Sequence, residues 1–199
     1  MKPIVLAITG ASGVVYARRL LQALLESHRQ VHLVISASGN AVLQQELDVS
    51  VDLNCFDPGL LLDNVPFNTN QLVYHLNHDM LASIASGSYL TDGMVICPCS
   101  GGTLGAVVGG ISSNLVQRAA AVHLKERCKL ILVPRETPLS LIQIENMKRA
   151  HEAGAIVLPA MPGWYHGVSS LEDLVDFVVA RILDQLGVEH SMTKRWGND

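Results

Sequence analysis

Residues 4–26 read I-V-L-A-I-T-G-A-S-G-V-V-Y-A-R-R-L-L-Q-A-L-L-E, and their pattern decides the fold. The first five form an uninterrupted apolar run, as in a strand buried on both faces. Small residues follow, Thr9, Gly10, Ala11, Ser12 and Gly13, and a helical period opens near Val14. Leu20, Leu21, Leu24 and Leu25 share one stripe of that helix, with Arg18, Arg19 and Glu26 largely off it. Strand, glycine turn and helix begin a βαβ unit. The turn is also where chemistry can enter. Glycines let the backbone approach a ligand closely, and the first amides of a helix point outward beside the positive end of its dipole. A phosphate is the natural occupant, with Thr9 and Ser12 adding hydroxyl donors. A bare G-x-x-G serves equally well to pack helix on sheet, so ligand and packing weigh evenly on that evidence. The dinucleotide fingerprint is incomplete: there is no third glycine in register, and the second strand, V-H-L-V-I at 31–35, ends in Ser36 where an acid would be needed. A mononucleotide fits better.

The same grammar recurs along the chain. A helix is predicted over 38–47, with Ser36 and Ser38 as candidate caps and Glu46 near its end. Residues 72–75 can form a strand, 79–84 suggest a turn of helix, and 85–88 (A-S-G-S) a hydroxyl-rich loop. A buried strand at 93–98 leads into Cys99, Ser100, Gly101, Gly102 and Thr103, with helix from Leu104. The helix predicted at 114–125 carries Arg118 and Lys125 seven residues apart, on nearly one face. A strand over 129–134 delivers Arg135 and Glu136 to the sheet edge. Helix over 142–153, strand over 155–158 and an amphipathic helix over 171–186 holding Arg181 complete the pattern. This alternation implies an α/β fold of three layers, a Rossmann-like or flavodoxin-like doubly wound, mostly parallel sheet, in one domain spanning 1–199. In such sheets the turns gather at the carboxyl ends of the strands, where ligands bind. Residues 49–70 hold no steady period. The loop 159–166 concentrates proline and aromatics, including Trp164 and Tyr165, in a chain with only 5% aromatic residues; a lid or stacking role competes there with ordinary loop packing.

The chain of 199 residues is 49% hydrophobic but only 16% charged, against a usual charged share of about 25%. Surface covered by other subunits is the expected reason for that shortfall, with an unusually large core as the alternative. A net charge of −4 without a basic stripe argues against nucleic acid. No apolar run reaches the roughly 18 residues of a membrane span, and the apolar start of the chain is better explained by strand, turn and helix than by a leader. The expectation is a cytoplasmic protein. Four cysteines, Cys55, Cys97, Cys99 and Cys128, are then expected as thiols. C-P-C places two thiolates poorly for tetrahedral zinc, and the pairs His28/His32 and His75/His78 straddle element ends and share no helical face, so no metal is assigned.

Taken together, T-G-A-S-G at 9–13, A-S-G-S at 85–88, C-P-C-S at 97–100, R-A-A-x-V-x-L-K-E-R at 118–127, V-P-R-E-T-P at 133–138, Y-H at 165–166 and V-x-R-I-L-D at 179–184 make a sequence that resembles the UbiX-type flavin prenyltransferases, historically labelled 3-octaprenyl-4-hydroxybenzoate carboxy-lyases. The resemblance covers nearly the whole chain. It implies a metal-independent homododecamer with shared active sites that transfers a dimethylallyl group from dimethylallyl phosphate to reduced FMN. The bond forms at N5 and a ring then closes at C6, giving prenylated FMN for a UbiD-type decarboxylase, as in ubiquinone biosynthesis. FMN contacts carry over to Gly10, Ala11, Ser12, Ser36, Ser86, Ser100, Gly101, Gly102, Thr103, Arg118 and Arg135. Prenyl-phosphate contacts carry over to Lys125, Arg135, Glu136, Tyr165 and Arg181, with Trp196 close by. Glu46 corresponds to the acid that manages the N5 proton, and Ser12 to a serine near the same atom. Glu46, Lys125, Glu136 and Ser12 are thus the expected catalytic set. Elementary chemistry agrees: a departing phosphate needs converging cations and a proton source, and an allylic cation-like state needs an apolar, π-rich surrounding. Gly101 stands where relatives often carry a larger or polar residue.

Two other functions compete. FMN-dependent cysteine decarboxylases share the fold, but their P-x-M-N-x-x-M-W segment is absent from this chain. A non-catalytic flavin-binding protein would not need the phosphate cluster.

Overall fold

The computed structural model describes residues 1–63, 65–165 and 167–193. Strands β1 (Ile4–Ile8), β2 (Val31–Ile35), β3 (Leu72–His75), β4 (Gly93–Cys99), β5 (Leu130–Pro134) and β6 (Ile156–Val157) form one sheet in the order β3-β2-β1-β4-β5-β6. Every pairing is parallel. The chain winds outward from β1 through β2 to β3, then returns to the other side of β1 to lay down β4. The carboxyl ends of β1 and β4 therefore flank the point where strand order reverses, the usual place for a ligand in an open α/β sheet.

Helices α1 (Val14–Glu26), α2 (Ala37–Leu47), α3 (Pro58–Leu62) and α7 (Leu171–Leu186) cover one face; α4 (Gly101–Val108), α5 (Leu115–Lys125) and α6 (Leu141–Glu152) lie on the other. The leucine stripe read from the sequence is the buried face of α1: Leu20, Leu21, Leu24 and Leu25 pack with Val179 and Leu183 of α7 in the first core. Val116, Ala119 and Ala120 of α5 pack with Leu104 and Met94 in the second. The unreadable stretch 49–70 contains α3, opened by Asp57 and Pro58 in the usual capping positions. Its Leu61 and Leu62 are buried in the first core, which accounts for a leucine run without period.

Three expectations shift. The helix after β4 begins at Gly101, three residues earlier than predicted, because Ser100 Oγ accepts the Thr103 amide at 3.2 Å and caps it. The turn of helix expected over 79–84 is a 3-10 turn at Ser83–Ala85. The histidines that share no helical face do meet across the sheet: His32 Nδ1 and His75 Nε2 lie 2.7 Å apart, and Tyr89 Oη is 2.9 Å from His32 Nε2. Burial drives the His32 pKa down to about 4, with His75 adding to the effect. Cys97 and Cys99 are wholly buried in β4, and burial pushes the Cys99 thiol up to about 12; both act as packing groups.

Candidate active site

The amino ends of α1, α2 and α4 gather at the carboxyl ends of β1, β2 and β4. Each turn is shaped by a specific contact. Gly10 presses so closely on α2 that a Cβ there would collide with the side chain of Ser38. Gly39 lies against the Ile8 carbonyl, where a Cβ would sit 2.6 Å from the oxygen, and Ser36 Oγ caps α2 by accepting the Gly39 amide at 3.0 Å. Gly13, with φ of 103°, precedes α1 but offers no side chain to cap it. Glu46 does so instead: its Oε2 accepts the amides of Gly13 at 2.9 Å and Val14 at 3.2 Å. A lone carboxylate at a helix amino end is favoured by both the amides and the dipole.

Thr9 differs from its expected role. The residue is 2% exposed, and its hydroxyl donates to the Pro98 carbonyl at 2.7 Å and accepts the Ser100 amide at 2.9 Å. It stitches the β1–α1 turn to the β4–α4 turn and is not a ligand donor. Around the stitched turns Ser12 is exposed and Ser36, Ser100 and Thr103 are partly so; a Cβ on Gly102 would meet nothing within 4 Å. From the end of β5, Arg135 donates through Nε to the Ser12 carbonyl at 3.1 Å, laying its guanidinium along the first turn. Three positive helix ends, hydroxyl groups and an arginine thus share one edge, an arrangement suited to the phosphate of a flavin mononucleotide. Glycine at Gly102 keeps that edge clear of a side chain. Gly10, Ala11, Ser12, Ser36, Ser100, Gly101, Gly102, Thr103, Glu46 and Arg135 are all brought to it.

The other expected residues lie apart. Arg118 on α5 donates to the Ala85 carbonyl at 3.0 Å, next to Ser86, whose hydroxyl is 2.9 Å from that of Ser88. Lys125 ends α5, ion-paired with Glu126 and facing Gly87. Because α5 runs antiparallel to the strands, Lys125 stands where β5 begins and Arg135 where it ends. The cation cluster expected from Lys125, Arg135 and Arg181 therefore does not form within one chain. Ser86, Arg118 and Lys125 make a second polar surface.

Arg181 lines a cleft of about 300 Å³ with Leu158, Pro159, Met161 and Phe177, its Nη1 2.8 Å from Asp184 Oδ2. Arg135 and Glu136 line a smaller one, about 60 Å³, that shares Pro159 and Met161. Tyr165 stands edge-on to Phe177, ring centres 5.8 Å apart. Trp196 lies outside the described residues. A more capacious cleft, about 630 Å³, runs between α1 and α7 past Tyr16, Arg19 and Val175. Both its arginines are already paired, Arg19 with Asp176 at 2.7 Å and Arg18 with Asp63, so it lacks the convergent donors of the turn edge. Among the described residues no three His, Cys, Asp or Glu side chains gather to hold a metal ion.

Gln143 was not among the residues expected at the site. Its Nε2 donates to Glu136 Oε2 at 3.1 Å and lies 3.1 Å from where a Cβ on Gly101 would be. The signal for its placement was present, since Ser140 to Gln143 is an S-x-x-Q capping box.

A model of the flavoprotein family matches residues 1–183. The flavin prenyltransferase UbiX of Pseudomonas aeruginosa is 48% identical over 195 residues, 98% of this chain and 93% of its own length. Among solved structures, AnUbiX (PadA1) in complex with FMN and dimethylallyl pyrophosphate is similar with a TM-score of 0.87 and 36% identity, over 99% of this chain and 98% of that one. A dodecameric FMN-dependent UbiX-like decarboxylase from Escherichia coli O157:H7 gives 0.84 and 38%, over 98% and 100%. With the phosphate-binding edge, the strand order and these likenesses in hand, the chain belongs to the flavoprotein family, among the UbiX-type flavin prenyltransferases.

Proposed function

We propose that this protein is a flavin prenyltransferase that moves a dimethylallyl group from dimethylallyl phosphate to reduced FMN. The observation that carries the reading is the edge where three helix amino ends meet Arg135, which suits a flavin phosphate, with the Glu46 carboxylate fixed at the start of α1 beside it. In the transfer, the carbon–oxygen bond of the donor breaks, phosphate leaves, and flavin N5 exchanges its proton for the dimethylallyl carbon; the alkene then takes up a proton at one carbon while its other carbon bonds to C6, which gives up its own proton, closing the ring of prenylated FMN. Glu46 receives the N5 proton, Ser12 lies beside it, and Glu136 with Arg135 and Arg181 attends the departing phosphate.

The separate surface of Ser86, Arg118 and Lys125 belongs, on this reading, to the active site of a neighbouring copy, so that the enzyme works as a homo-oligomer, a dodecamer, with each site shared. Exposed Leu141, Ile142, Met161 and Leu171 supply apolar surface for such contacts, in keeping with the low charged content. The product serves a UbiD-type decarboxylase in a cytoplasmic, ubiquinone-linked setting.

Anaerobic incubation with reduced FMN and dimethylallyl phosphate tests the reading. The flavin should gain one C5H8 unit by mass spectrometry, with release of inorganic phosphate. Unmodified FMN after prolonged incubation would reject the activity.

A further inference from the structure

Gln143 occupies a junction between the two halves of the proposed site. Its Oε1 is committed to Ser140, accepting the backbone amide at 2.9 Å and the hydroxyl at 3.0 Å. The Gln143 amide in turn donates to Ser140 Oγ at 3.3 Å. This reciprocal cap fixes which way the carboxamide points. Flipped, it would set Nε2 against the Ser140 amide and Oε1 against a carboxylate. In the fixed orientation Nε2 donates to Glu136 Oε2, while Glu136 Oε1 accepts the Thr137 amide at 3.2 Å. Both oxygens of an exposed carboxylate are thereby held in place.

Gly101 completes the arrangement. It is the first residue of α4, and a Cβ on it would stand 3.1 Å from Nε2 and 3.8 Å from Cγ of Gln143, closer than most carbon contacts to the amide nitrogen. The missing side chain leaves room for the carboxamide between the flavin-phosphate turn and Glu136. The otherwise unexplained glycine and the glutamine are two sides of one fit.

We infer that Gln143 is a positioning residue for prenyl transfer: it orients Glu136 toward the departing phosphate, and Gly101 makes its placement possible. The inference rests on the prenyltransferase reading above. A helix cap alone would need no particular group facing Glu136, and this difference can be measured.

Gln143→Glu separates the two roles, because glutamate is an equally good partner in a capping box but sets a carboxylate against Glu136. Wild type and variant are compared for thermal midpoint, FMN affinity and single-turnover transfer to reduced FMN from pH 8 down to about pH 5, the range over which paired carboxylates can take up one shared proton. The expected result is an unchanged midpoint and FMN affinity with transfer slowed roughly tenfold to a hundredfold near neutral pH, the loss of a hydrogen bond to a charged group. The deficit should shrink as the pH falls, because the introduced carboxyl, once protonated, can donate to Glu136 as the amide does. Gln143→Met, which neither donates nor bears charge, should be slowed at every pH. Equal transfer rates in wild type and both variants, or a Gln143→Glu deficit that ignores pH, would overturn the positioning role. A wild-type protein that makes no prenylated flavin would instead overturn the reading beneath it. If Gln143→Glu fails to fold, Gln143→Met with normal FMN binding and wild-type transfer overturns the proposal by itself.

Discussion

The carboxylate of Glu46 caps the helix that follows Gly13: Oε2 accepts the Gly13 amide at 2.9 Å across a separation of 33 positions. Since Gly13 has no side chain, α1 takes its cap from α2, and the proposed proton acceptor is held by the same contact that orders the flavin turn. Glu46→Gln should keep the cap, because a carboxamide oxygen still accepts both amides. Stability should then change by less than about 1 kcal/mol and FMN affinity stay near wild type, while transfer slows by roughly a hundredfold. Glu46→Ala should lose the cap as well, at about 1 kcal/mol. Chemical denaturation and single-turnover kinetics on the two variants check this; a wild-type rate in Glu46→Gln would remove the proton role.

Thr9 joins the two ligand turns through a buried hydroxyl. Thr9→Val keeps the shape but strands the Ser100 amide, while the Pro98 carbonyl keeps only the Thr9 backbone amide at 3.3 Å, so it should destabilise by about 1–3 kcal/mol and weaken FMN binding. Thr9→Ser should restore both. Urea unfolding and flavin fluorescence quenching measure the pair.

Gly10→Ala forces a Cβ into Ser38. The expected loss is about 1–3 kcal/mol, relieved by Ser38→Gly in the double variant. Additive losses in that cycle would show that the close approach is not the cause.

Acid should weaken this fold through His32 and His75. Burial holds both pKa values below the ordinary 6.5, His32 to about 4, with Asp79 partly opposing the shift at His75. Between pH 6.5 and about 4 the unfolded chain therefore binds protons that the native pair does not. Stability is greatest above 6.5 and falls as the pH drops through that window. Urea midpoints measured from pH 7 to pH 5 should decline less steeply in a His32→Gln, His75→Gln double variant.

Lys125→Ala and Arg135→Ala subunits should each be slowed on the order of a hundredfold in transfer, and Lys125→Ala should still bind FMN. Co-expressed in one oligomer they should regain activity, because some shared sites would receive an intact Lys125 from one copy and an intact Arg135 from another. Mixed oligomers no more active than the parents would argue for sites confined to single chains.

The sequence carried the fold because local signals there agreed with the global answer. The apolar run 4–8, the leucine stripe of α1 and the repeated strand–turn–helix order each demand burial in one way only, and the parallel doubly wound sheet is what satisfies them together. The glycine turns and capping serines were legible for the same reason, being short-range chemistry. Strand order and partners across the sheet were not: nothing near Glu46 says that it caps Gly13, nothing near His32 points to His75, and Thr9 looked like a ligand donor until Pro98 and Ser100 closed on it. Likewise the motif residues Lys125 and Arg135 read as one cluster, and only the direction of α5 against β5 placed them at opposite edges. Periodicity records which face of an element is buried. Which distant groups meet there depends on how the chain crosses back over itself, and that was decided by the tertiary packing alone.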